Sequence, residues 1–181
     1  MNIEYEARIL NINKQEMIQK LEELQAEFKW EKLQRRYVYD FQPALPNKWI
    51  RLRTNGFETT LTIKDITSNK MDGTKELEIT VDDFEKTASL LKELGYNPKA
   101  FQENKRRRYY LNNVEIDIDS WPQIPDYIEV EGKNEEEVLK TIELLGFSKK
   151  DIVTADVETI YKEYGIDLPK IEYLELENDR K

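Results

Sequence analysis

Apolar and polar residues alternate strictly at the start of the chain. Apolar side chains at positions 3, 5, 7 and 9 alternate with Glu4, Glu6 and Arg8. Because successive side chains of a strand point to opposite faces, this pattern predicts a strand over residues 2–10. Alternation, or a high content of aromatic and β-branched residues, predicts further strands over residues 33–41, 49–54, 57–64, 75–81, 101–111, 114–119 and 127–131.

Helices are predicted between several of these strands. Asn13 and Glu16 fit a capping box, and an apolar stripe at helical spacing follows as far as Phe28. The other predicted helices run over residues 83–94, from 134 to about 145 and over about 156–164, and glycines at 95 and 146 stop the first two.

Turn residues separate the strands. Asn55-Gly56 predicts a type I′ hairpin turn, which needs positive φ at both central residues. Asn112-Asn113 suggests another turn, and Pro43 and Pro46 are expected to end the second strand. Strands outnumber helices and several are joined as hairpins, so the pattern predicts an α+β fold, an antiparallel sheet or barrel with peripheral helices.

Charged residues repeat on one face of these strands. The i, i+2 pairs are Glu4/Glu6, Arg51/Arg53, Glu76/Glu78, Arg106/Arg108 and Glu129/Glu131. A spacing of two puts both members of a pair on the same face. Such alternation is usually a solvated outer face. Here, however, the apolar stripes of the helices must pack against the apolar faces of the strands, on the outside. The charged faces would then point inward, into a barrel with a polar lumen.

Composition agrees with a polar interior. Hydrophobic residues are 39% of the 181 residues, below the usual ~45–50%. The chain has no cysteine and no histidine, which excludes disulfides, zinc sites of the thiolate or imidazole kind and a His-dependent catalytic triad. Any metal would be bound through oxygen, as Mg²⁺, Mn²⁺ and Ca²⁺ are.

We expect a cytoplasmic protein without a membrane partner. No apolar run approaches the ~18 residues of a membrane span, and the N-terminus lacks the layout of a signal peptide. The formal charge of −9 argues against general nucleic-acid binding. One domain is predicted over residues 1–168, with a charged C-terminal tail over 169–181, and the oligomeric state stays open between monomer and homodimer.

A lumen lined by both carboxylates and guanidinium groups would be costly to leave empty, because buried unpaired charges are strongly disfavoured. It would suit a ligand with many negative oxygens that brings divalent cations. Arginine and lysine would bind phosphate oxygens, and carboxylates would hold Mg²⁺ or Mn²⁺.

These residues resemble the CYTH superfamily, also called triphosphate tunnel metalloenzymes, which includes class IV adenylyl cyclases, thiamine triphosphatases and inorganic triphosphatases. Its signature is an N-terminal E-x-E-x-K strand, and this chain has Glu4-Tyr-Glu6-Ala-Arg8 there. The resemblance continues in order over about residues 2–165, through the segments WIRLR, TLTIK, ELE, KRRRYY, VEIDIDSW and YIEVEG.

The resemblance implies an eight-stranded antiparallel tunnel that binds a triphosphate, with Mg²⁺ or Mn²⁺ as cofactor. The implied metal ligands are Glu4, Glu6, Asp119, Glu129 and Glu131. The implied substrate-binding residues are Arg8, Arg51, Arg53, Lys64, Glu78, Arg106 and Arg108. Arg36 is added to them because it shares a face of the second strand with Asp40, and this face is also expected to point inward. Glu4, Glu6 and Arg8 are the candidate catalytic residues.

Two features leave alternatives open. Spacing to Asp119 favours Arg106 and Arg108 as the inward residues of their strand, although a bulge would reverse this. Arg8 stands where the family has lysine. It keeps the charge and can bind phosphate, but arginine cannot accept a proton under ordinary conditions.

Three functions compete at this point. The leading hypothesis is hydrolysis of the terminal phosphate of tripolyphosphate, thiamine triphosphate or ATP. A class IV adenylyl cyclase needs the same triphosphate site plus room for a purine, on which Trp49, Trp121 and Tyr127 could stack. A non-catalytic module that binds polyphosphate or nucleotide is the third hypothesis, and a purely structural barrel is the last.

Overall fold

A computed structural model describes residues 1–177. The strands are β1 Asn2–Ile9, β2 Glu27–Leu45, β3 Lys48–Thr54, β4 Thr59–Ile66, β5 Thr74–Val81, β6 Ala100–Leu111, β7 Val114–Ser120, β8 Tyr127–Gly132, β9 Ile152–Val153 and β10 Tyr173–Leu174. The α-helices are α1 Lys14–Glu23, α2 Phe84–Glu93, α3 Glu135–Leu144 and α4 Val157–Glu163.

Eight of the strands close into an antiparallel barrel. Their order is β6-β2-β3-β4-β5-β1-β8-β7, and β7 pairs back with β6. The two short strands lie outside this ring, β9 against β1 and β10 parallel to β6. The predicted α+β fold, an eight-stranded antiparallel barrel with peripheral helices, is confirmed.

The apolar core lies outside the barrel wall. Helices α1 and α3 contribute Leu21 and Val138 to a cluster that covers outward residues of β1, β7 and β8. Helix α2 packs Phe84 and Leu91 against β2 and β3. Because the outward strand positions take the apolar residues, the alternate positions point inward and carry the charges.

Helix α4 and the chain after it form a third apolar cluster at one end of the barrel. There Ile160, Leu168 and Leu174 pack with Trp121, which directly follows β7. Leu174 falls inside the predicted tail but is only 1% exposed, so part of that segment packs on the domain. The last residues of the predicted tail, 178–181, lie outside the described part of the chain.

Two local predictions around β2 are wrong. The helix before it does not extend to Phe28, because the chain reverses at Gln25, where φ is +56°. Phe28 instead lies in β2, with its ring 5.5 Å from that of Tyr109. Nor does Pro43 end β2. It lies where the register with β3 shifts, between Asp40 and Leu45, and Leu45 pairs with Lys48 beyond it.

The hairpin between β3 and β4 has a longer turn than predicted. Its last pair is Thr54 with Thr59, and within Asn55-Gly56 only the glycine has a positive φ, +86°. The Asn55 side chain accepts a hydrogen bond from the backbone N of Glu58 at 2.9 Å. Glu58, which falls within the strand predicted over residues 57–64, therefore belongs to the loop. Asn112 and Asn113 both have positive φ, and the predicted turn there is confirmed.

Among residues 1–177, no helix is long and apolar enough to cross a membrane.

The barrel wall should be sensitive to lost packing on its outer face. Ile116 on β7 is fully buried in the cluster under α1 and α3, so Ile116→Ala should lower the free energy of unfolding by about 3 kcal/mol through lost burial and a residual cavity. Ile3→Ala on β1, where Ile3 is 52% exposed, should cost less than about 1 kcal/mol. Urea denaturation measures both, and equal losses would contradict this placement of the core.

Candidate active site

A cavity of about 350 Å³ occupies the interior of the barrel. It is lined by basic and acidic side chains from all eight barrel strands. Twelve of the predicted site residues line it: Glu4, Glu6, Arg8, Arg36, Arg51, Arg53, Lys64, Glu78, Arg106, Arg108, Glu129 and Glu131. The structure thus brings these residues together, while their individual roles stay predictions.

Carboxylates are concentrated on three adjacent strands. Glu131 on β8 is the register partner of Glu6 on β1 and of Glu115 on β7. Like charges directly opposite each other across strands are destabilising. Burial, together with the neighbouring charges of Glu4, Glu115 and others, raises the pKa of Glu131 to about 8. Among the described residues, no lysine or arginine forms an ion pair with Glu131. We call Glu4, Glu6, Glu115, Glu129 and Glu131 the carboxylate cluster.

Arg8 balances two members of that cluster. Its Nη2 lies 3.1 Å from Oε2 of Glu6 and 2.5 Å from Oε2 of Glu129. Arg106 approaches the other oxygen of Glu129 at 3.1 Å. Although burial opposes a charged Arg8, Glu129 and Glu6 raise its pKa, so Arg8 remains a cation and cannot accept a proton.

Arg8 also reaches beyond the barrel strands. Its Nη1 donates a hydrogen bond to the backbone oxygen of Ala155 at 2.9 Å. Ala155 directly precedes Asp156, the N-cap of α4. One guanidinium group therefore joins the carboxylates of the lumen to the segment that leads into α4.

The fifth predicted metal ligand, Asp119, is hydrogen-bonded by neighbouring side chains of the barrel wall. It is fully buried and is absent from the side chains that line the cavity. Arg106 donates to it from Nε at 2.8 Å and from Nη2 at 2.5 Å, and Asn104 donates from Nδ2 at 2.9 Å. Both oxygens of Asp119 accept hydrogen bonds from Arg106 and thereby orient its guanidinium group, while the role of Asp119 as a metal ligand stays a prediction.

The inward residues of β6 are the two that were predicted from the spacing to Asp119. Arg106 and Arg108 line the cavity. Arg107 faces outward, where its Nη1 lies 2.7 Å from Glu31, and Lys105 also pairs with Glu31. The uninterrupted register of β6 with β7 shows that no bulge reverses the parity there.

Arg36 is the least compensated cation of the lumen. It is 6% exposed and donates only to the side-chain oxygens of Gln34 and Asn104. Among residues 1–177 it has no carboxylate partner within ion-pair distance. Burial and the neighbouring cations Arg53 and Arg51 hold the pKa of Arg36 well below its usual range.

Arg53 shares this surplus of positive charge. Its nearest carboxylate oxygen, Oε2 of Glu78, is 3.7 Å away, and that carboxylate also serves Arg51 at 3.3 Å. Burial and the neighbouring charges of Arg51 and Arg106 lower the pKa of Arg53 to about 9. We call Arg36, Arg51, Arg53 and Arg106 the arginine cluster, and it provides the donors for an anionic ligand.

Lys64 lies between the two clusters. Its Nζ forms an ion pair with Glu76 and lies 3.7 Å from Oε2 of Glu4. That oxygen of Glu4 is buried and has no hydrogen-bond partner. Glu4 therefore retains an unsatisfied oxygen.

Several lining residues were missed among the predicted site residues. Glu76 shares a strand face with Glu78, and Glu115 lies on the inward face of β7, so the period of two could have identified both. Asp156 and Glu158 also line the cavity. They come from the start of α4, and no pattern in the sequence indicates that this helix closes on the barrel.

The residues present fit a divalent cation that is bound through oxygen. Glu131 lacks a cationic partner, Glu4 has an orphaned buried oxygen, and both belong to an all-carboxylate donor set of the kind that Mg²⁺ and Mn²⁺ use. Within the described residues, no three acidic side chains already stand at metal-binding distances from a common point. A cation would therefore draw these carboxylates closer together.

Comparison with known proteins identifies the family. The profile of the CYTH domain matches residues 2–155. The chain belongs to the CYTH family. Among curated proteins, none matches its sequence significantly.

Solved structures share the fold of this CYTH protein. The PH1012 protein from Pyrococcus horikoshii is 25% identical with a TM-score of 0.73, covering 85% of this chain and 96% of its own. A conserved hypothetical protein from Pyrococcus furiosus is 23% identical with a TM-score of 0.74, over 85% and 97% of the two chains. HpAC1 from Hippeastrum, assigned as an adenylyl cyclase with a dominant triphosphatase activity, is 17% identical with a TM-score of 0.63, over 94% and 100%.

The hydrogen bond from Arg8 to Ala155 should hold the start of α4 in place. In Arg8→Lys the ammonium group stays beside Glu129 but does not span both partners, so one hydrogen bond worth about 1 kcal/mol is lost. Hydrogen–deuterium exchange of residues 155–163 should accelerate about fivefold, as 1 kcal/mol implies. Arg107→Lys, on the outer surface, is the control and should leave this exchange unchanged. Equal exchange in parent and Arg8→Lys would show that Arg8 does not anchor the segment.

Proposed function

We propose that this protein is a divalent-metal-dependent hydrolase that removes the terminal phosphate of inorganic triphosphate or of a triphosphorylated small molecule. One observation carries the proposal: inside one closed barrel, the arginine cluster contains Arg36 and Arg53, which are short of carboxylate partners, and the carboxylate cluster contains Glu131, which has no cationic partner among the described residues. A polyphosphate together with divalent cations supplies the charges that each cluster lacks.

The arginine cluster binds the phosphate chain. Planar guanidinium groups donate paired hydrogen bonds to phosphate oxygens, and Arg36 and Arg53 have donors that no carboxylate in the described chain occupies. Lys64 adds a point charge beside them. Burial strengthens these contacts, because Arg36 and Arg51 are largely withdrawn from the solvent that would otherwise screen them.

Glu4, Glu6, Glu129 and Glu131 would hold the metal ion, with Glu115 beside them. When bound, Mg²⁺ or Mn²⁺ supplies positive charge against the phosphate oxygens and lowers the pKa of water that it coordinates. Arg8 keeps Glu6 and Glu129 oriented toward the lumen through its two short ion pairs.

The proposed reaction is displacement at the terminal phosphorus. A water oxygen bonds to that phosphorus and the water gives up one proton to the solvent. The bond from phosphorus to the bridging oxygen breaks, and the shortened phosphate chain leaves with the bond's electron pair. The arginine cluster stabilises the charge on the phosphoryl oxygens in the transition state. Arg106 is held in place for this by Asp119 and Asp117, whose oxygens lie 2.5 Å and 2.7 Å from its guanidinium nitrogens.

The activity test compares three substrates and three products. Tripolyphosphate, ATP and thiamine triphosphate are incubated with Mg²⁺ or Mn²⁺, and phosphate, pyrophosphate and cyclic AMP are measured. We expect metal-dependent phosphate release that EDTA abolishes. Cyclic AMP without free phosphate would contradict the proposal and indicate an adenylyl cyclase, the other activity in the description of the Hippeastrum protein. If one of these substrates raises the melting temperature of the protein but none is turned over, the protein is a binding module and not an enzyme.

Glu131→Gln tests the metal site apart from turnover. Mg²⁺ should raise the melting temperature of the parent protein, because it binds the folded state and neutralises the carboxylate cluster. The uncharged variant should show little of this rise and should lose most of its activity. Glu27→Gln, at an exposed residue on the outer surface, is the matched control. A full Mg²⁺ response in Glu131→Gln would exclude Glu131 from the metal site.

Arg36→Met separates binding from stability. Loss of a charged hydrogen-bond donor to phosphate should raise the KM for the triphosphate about tenfold or more. The free energy of unfolding should change by no more than about 1 kcal/mol, because an unpaired buried charge is removed with the hydrogen bonds it made. Arg107→Met on the outer surface should leave KM unchanged. An unaltered KM in Arg36→Met would remove Arg36 from the phosphate site.

A further inference from the structure

A second, smaller cavity of about 40 Å³ lies next to the main cavity of the barrel. Arg53 and Arg108 line both cavities, so the two are neighbours. We call the smaller one the distal pocket, and its lining residues are Trp30, Gln34, Arg53, Asn55, Glu58, Thr60 and Arg108. Its volume gives room for roughly three water-sized groups.

The distal pocket lies at the end of the barrel away from α4. Helix α4 packs with Trp121, which directly follows the last residue of β7. Arg108 of the distal pocket instead forms an ion pair with Glu115, the second residue of β7. Asn55 comes directly after β3, beyond the last inward arginine of that strand. An anion in the distal pocket is therefore separated from the apolar cluster around α4 by the main cavity.

Two amide side chains of the distal pocket have their oxygens already occupied by the protein. Oε1 of Gln34 accepts a hydrogen bond from Nη2 of Arg36 at 3.3 Å. Oδ1 of Asn55 accepts from the backbone nitrogens of Phe57 and Glu58 at 3.0 Å and 2.9 Å. Since each amide group has one oxygen and one NH₂, both residues are left with N–H groups to donate.

Thr60 adds a hydroxyl group that the protein does not pair. The residue is 7% exposed and lines the distal pocket. Its Oγ1 has no partner within hydrogen-bond distance, although the carboxylate of Glu78 lies nearby. A buried hydroxyl without a partner is unfavourable, and an acceptor on a ligand would satisfy it.

The charges of the lining favour an anion. Arg53 lies 3.7 Å from its nearest carboxylate oxygen, on Glu78, and Arg108 is paired with Glu115 and Asp117. The acidic side chain among the lining residues is Glu58, which is exposed. Two guanidinium groups therefore line the pocket against one carboxylate that water screens.

A lining made mostly of donors fits a small oxyanion, because every unprotonated oxygen of an oxyanion accepts hydrogen bonds. Hydrogen phosphate offers such oxygens to Thr60, Gln34 and the arginines, and it keeps a hydroxyl that can donate to the carboxylate of Glu58. Sulfate has the same shape but no hydroxyl. The one acceptor of the lining therefore favours phosphate over sulfate.

We propose that the distal pocket binds orthophosphate while a triphosphate occupies the main cavity, and that the phosphate released by hydrolysis leaves through this pocket. Arg53 and Arg108 line both cavities and give the anion a continuous path of donors between them. The binding of orthophosphate does not depend on the proposed function, whereas the role of the pocket as an exit rests on it.

Calorimetry in EDTA, where metal-dependent turnover is absent, tests the site. Orthophosphate is titrated into protein saturated with tripolyphosphate, which fills the main cavity and leaves the distal pocket for orthophosphate. We expect one orthophosphate to bind per chain, more tightly than sulfate does in the same titration. If orthophosphate does not bind under these conditions, or binds no better than sulfate, the proposal is wrong.

Two variants should shift this affinity in opposite directions. Thr60→Val removes a donor to a charged ligand, so orthophosphate should bind about tenfold more weakly. Glu58→Gln removes a nearby negative charge, so orthophosphate should bind about twofold more tightly or better. Thr159→Val, at an exposed position of α4, is the control and should bind as the parent does.

The same variants can be titrated with orthophosphate in the absence of tripolyphosphate, so they test the site even if the proposed function fails. The melting temperature of each variant shows whether it is folded, and Thr60→Val should melt close to the parent because the lost hydroxyl has no protein partner. Equal orthophosphate affinity in the parent, Thr60→Val and Glu58→Gln would remove the distal pocket as an anion site.

Product inhibition tests the exit. When both sites are filled at once, orthophosphate should lower kcat for tripolyphosphate without raising KM, and Thr60→Val should need about ten times more orthophosphate for the same inhibition. Orthophosphate that raises only KM would compete for the main cavity and contradict the exit. If nothing is hydrolysed, the proposed function is wrong, and the calorimetric titrations still decide whether the distal pocket binds orthophosphate.

Discussion

The charges inside this barrel depend on one buried arginine. Arg106 on β6 contacts Asp117 and Asp119 on β7 and Glu129 on β8, at 2.5–3.1 Å. Removing one partner from such a buried pair leaves an uncompensated charge and is strongly destabilising. Arg106 therefore stabilises the seam where the barrel closes, and the carboxylates around it raise its pKa despite burial. This network pairs three of the carboxylates that β7 and β8 turn inward, while the opposite faces of the same strands carry the apolar core.

Away from that seam the positive and negative side chains are separated. Burial and neighbouring arginines lower the pKa of Arg36 on β2 and of Arg53 on β3. Glu131 on β8, in contrast, is buried beside other carboxylates and has a raised pKa. A protein that needed only a stable barrel would pair these groups. The separation keeps each group ready for a ligand of the opposite sign, at some cost in stability without that ligand.

The strand pattern predicted most of the barrel and its lining, because a period of two is a local property of the backbone. It could not predict that both oxygens of Asp119 would be occupied by Arg106 and Asn104, since that depends on the stagger of β6 against β7. Nor could it place Asp156 in the cavity, because α4 reaches the barrel through packing with Trp121. Phe28 was assigned to the helix because it continues the helical spacing of apolar residues, although the chain has already left the helix at Gln25.

Arg8, the residue at which this chain departs from the family pattern, has contacts that explain what an arginine does there. In the sequence it is only an arginine in the place of a lysine, which removes a potential proton acceptor. In the structure its two nitrogens serve Glu129 and Glu6 on one side and Ala155 on the other. A lysine has a single side-chain nitrogen and would not reach both the carboxylates and the Ala155 oxygen. The arginine therefore links the carboxylate cluster to the segment that leads into α4, whose first residues line the cavity. The charge balance of the lumen and the position of α4 are thus parts of the same arrangement.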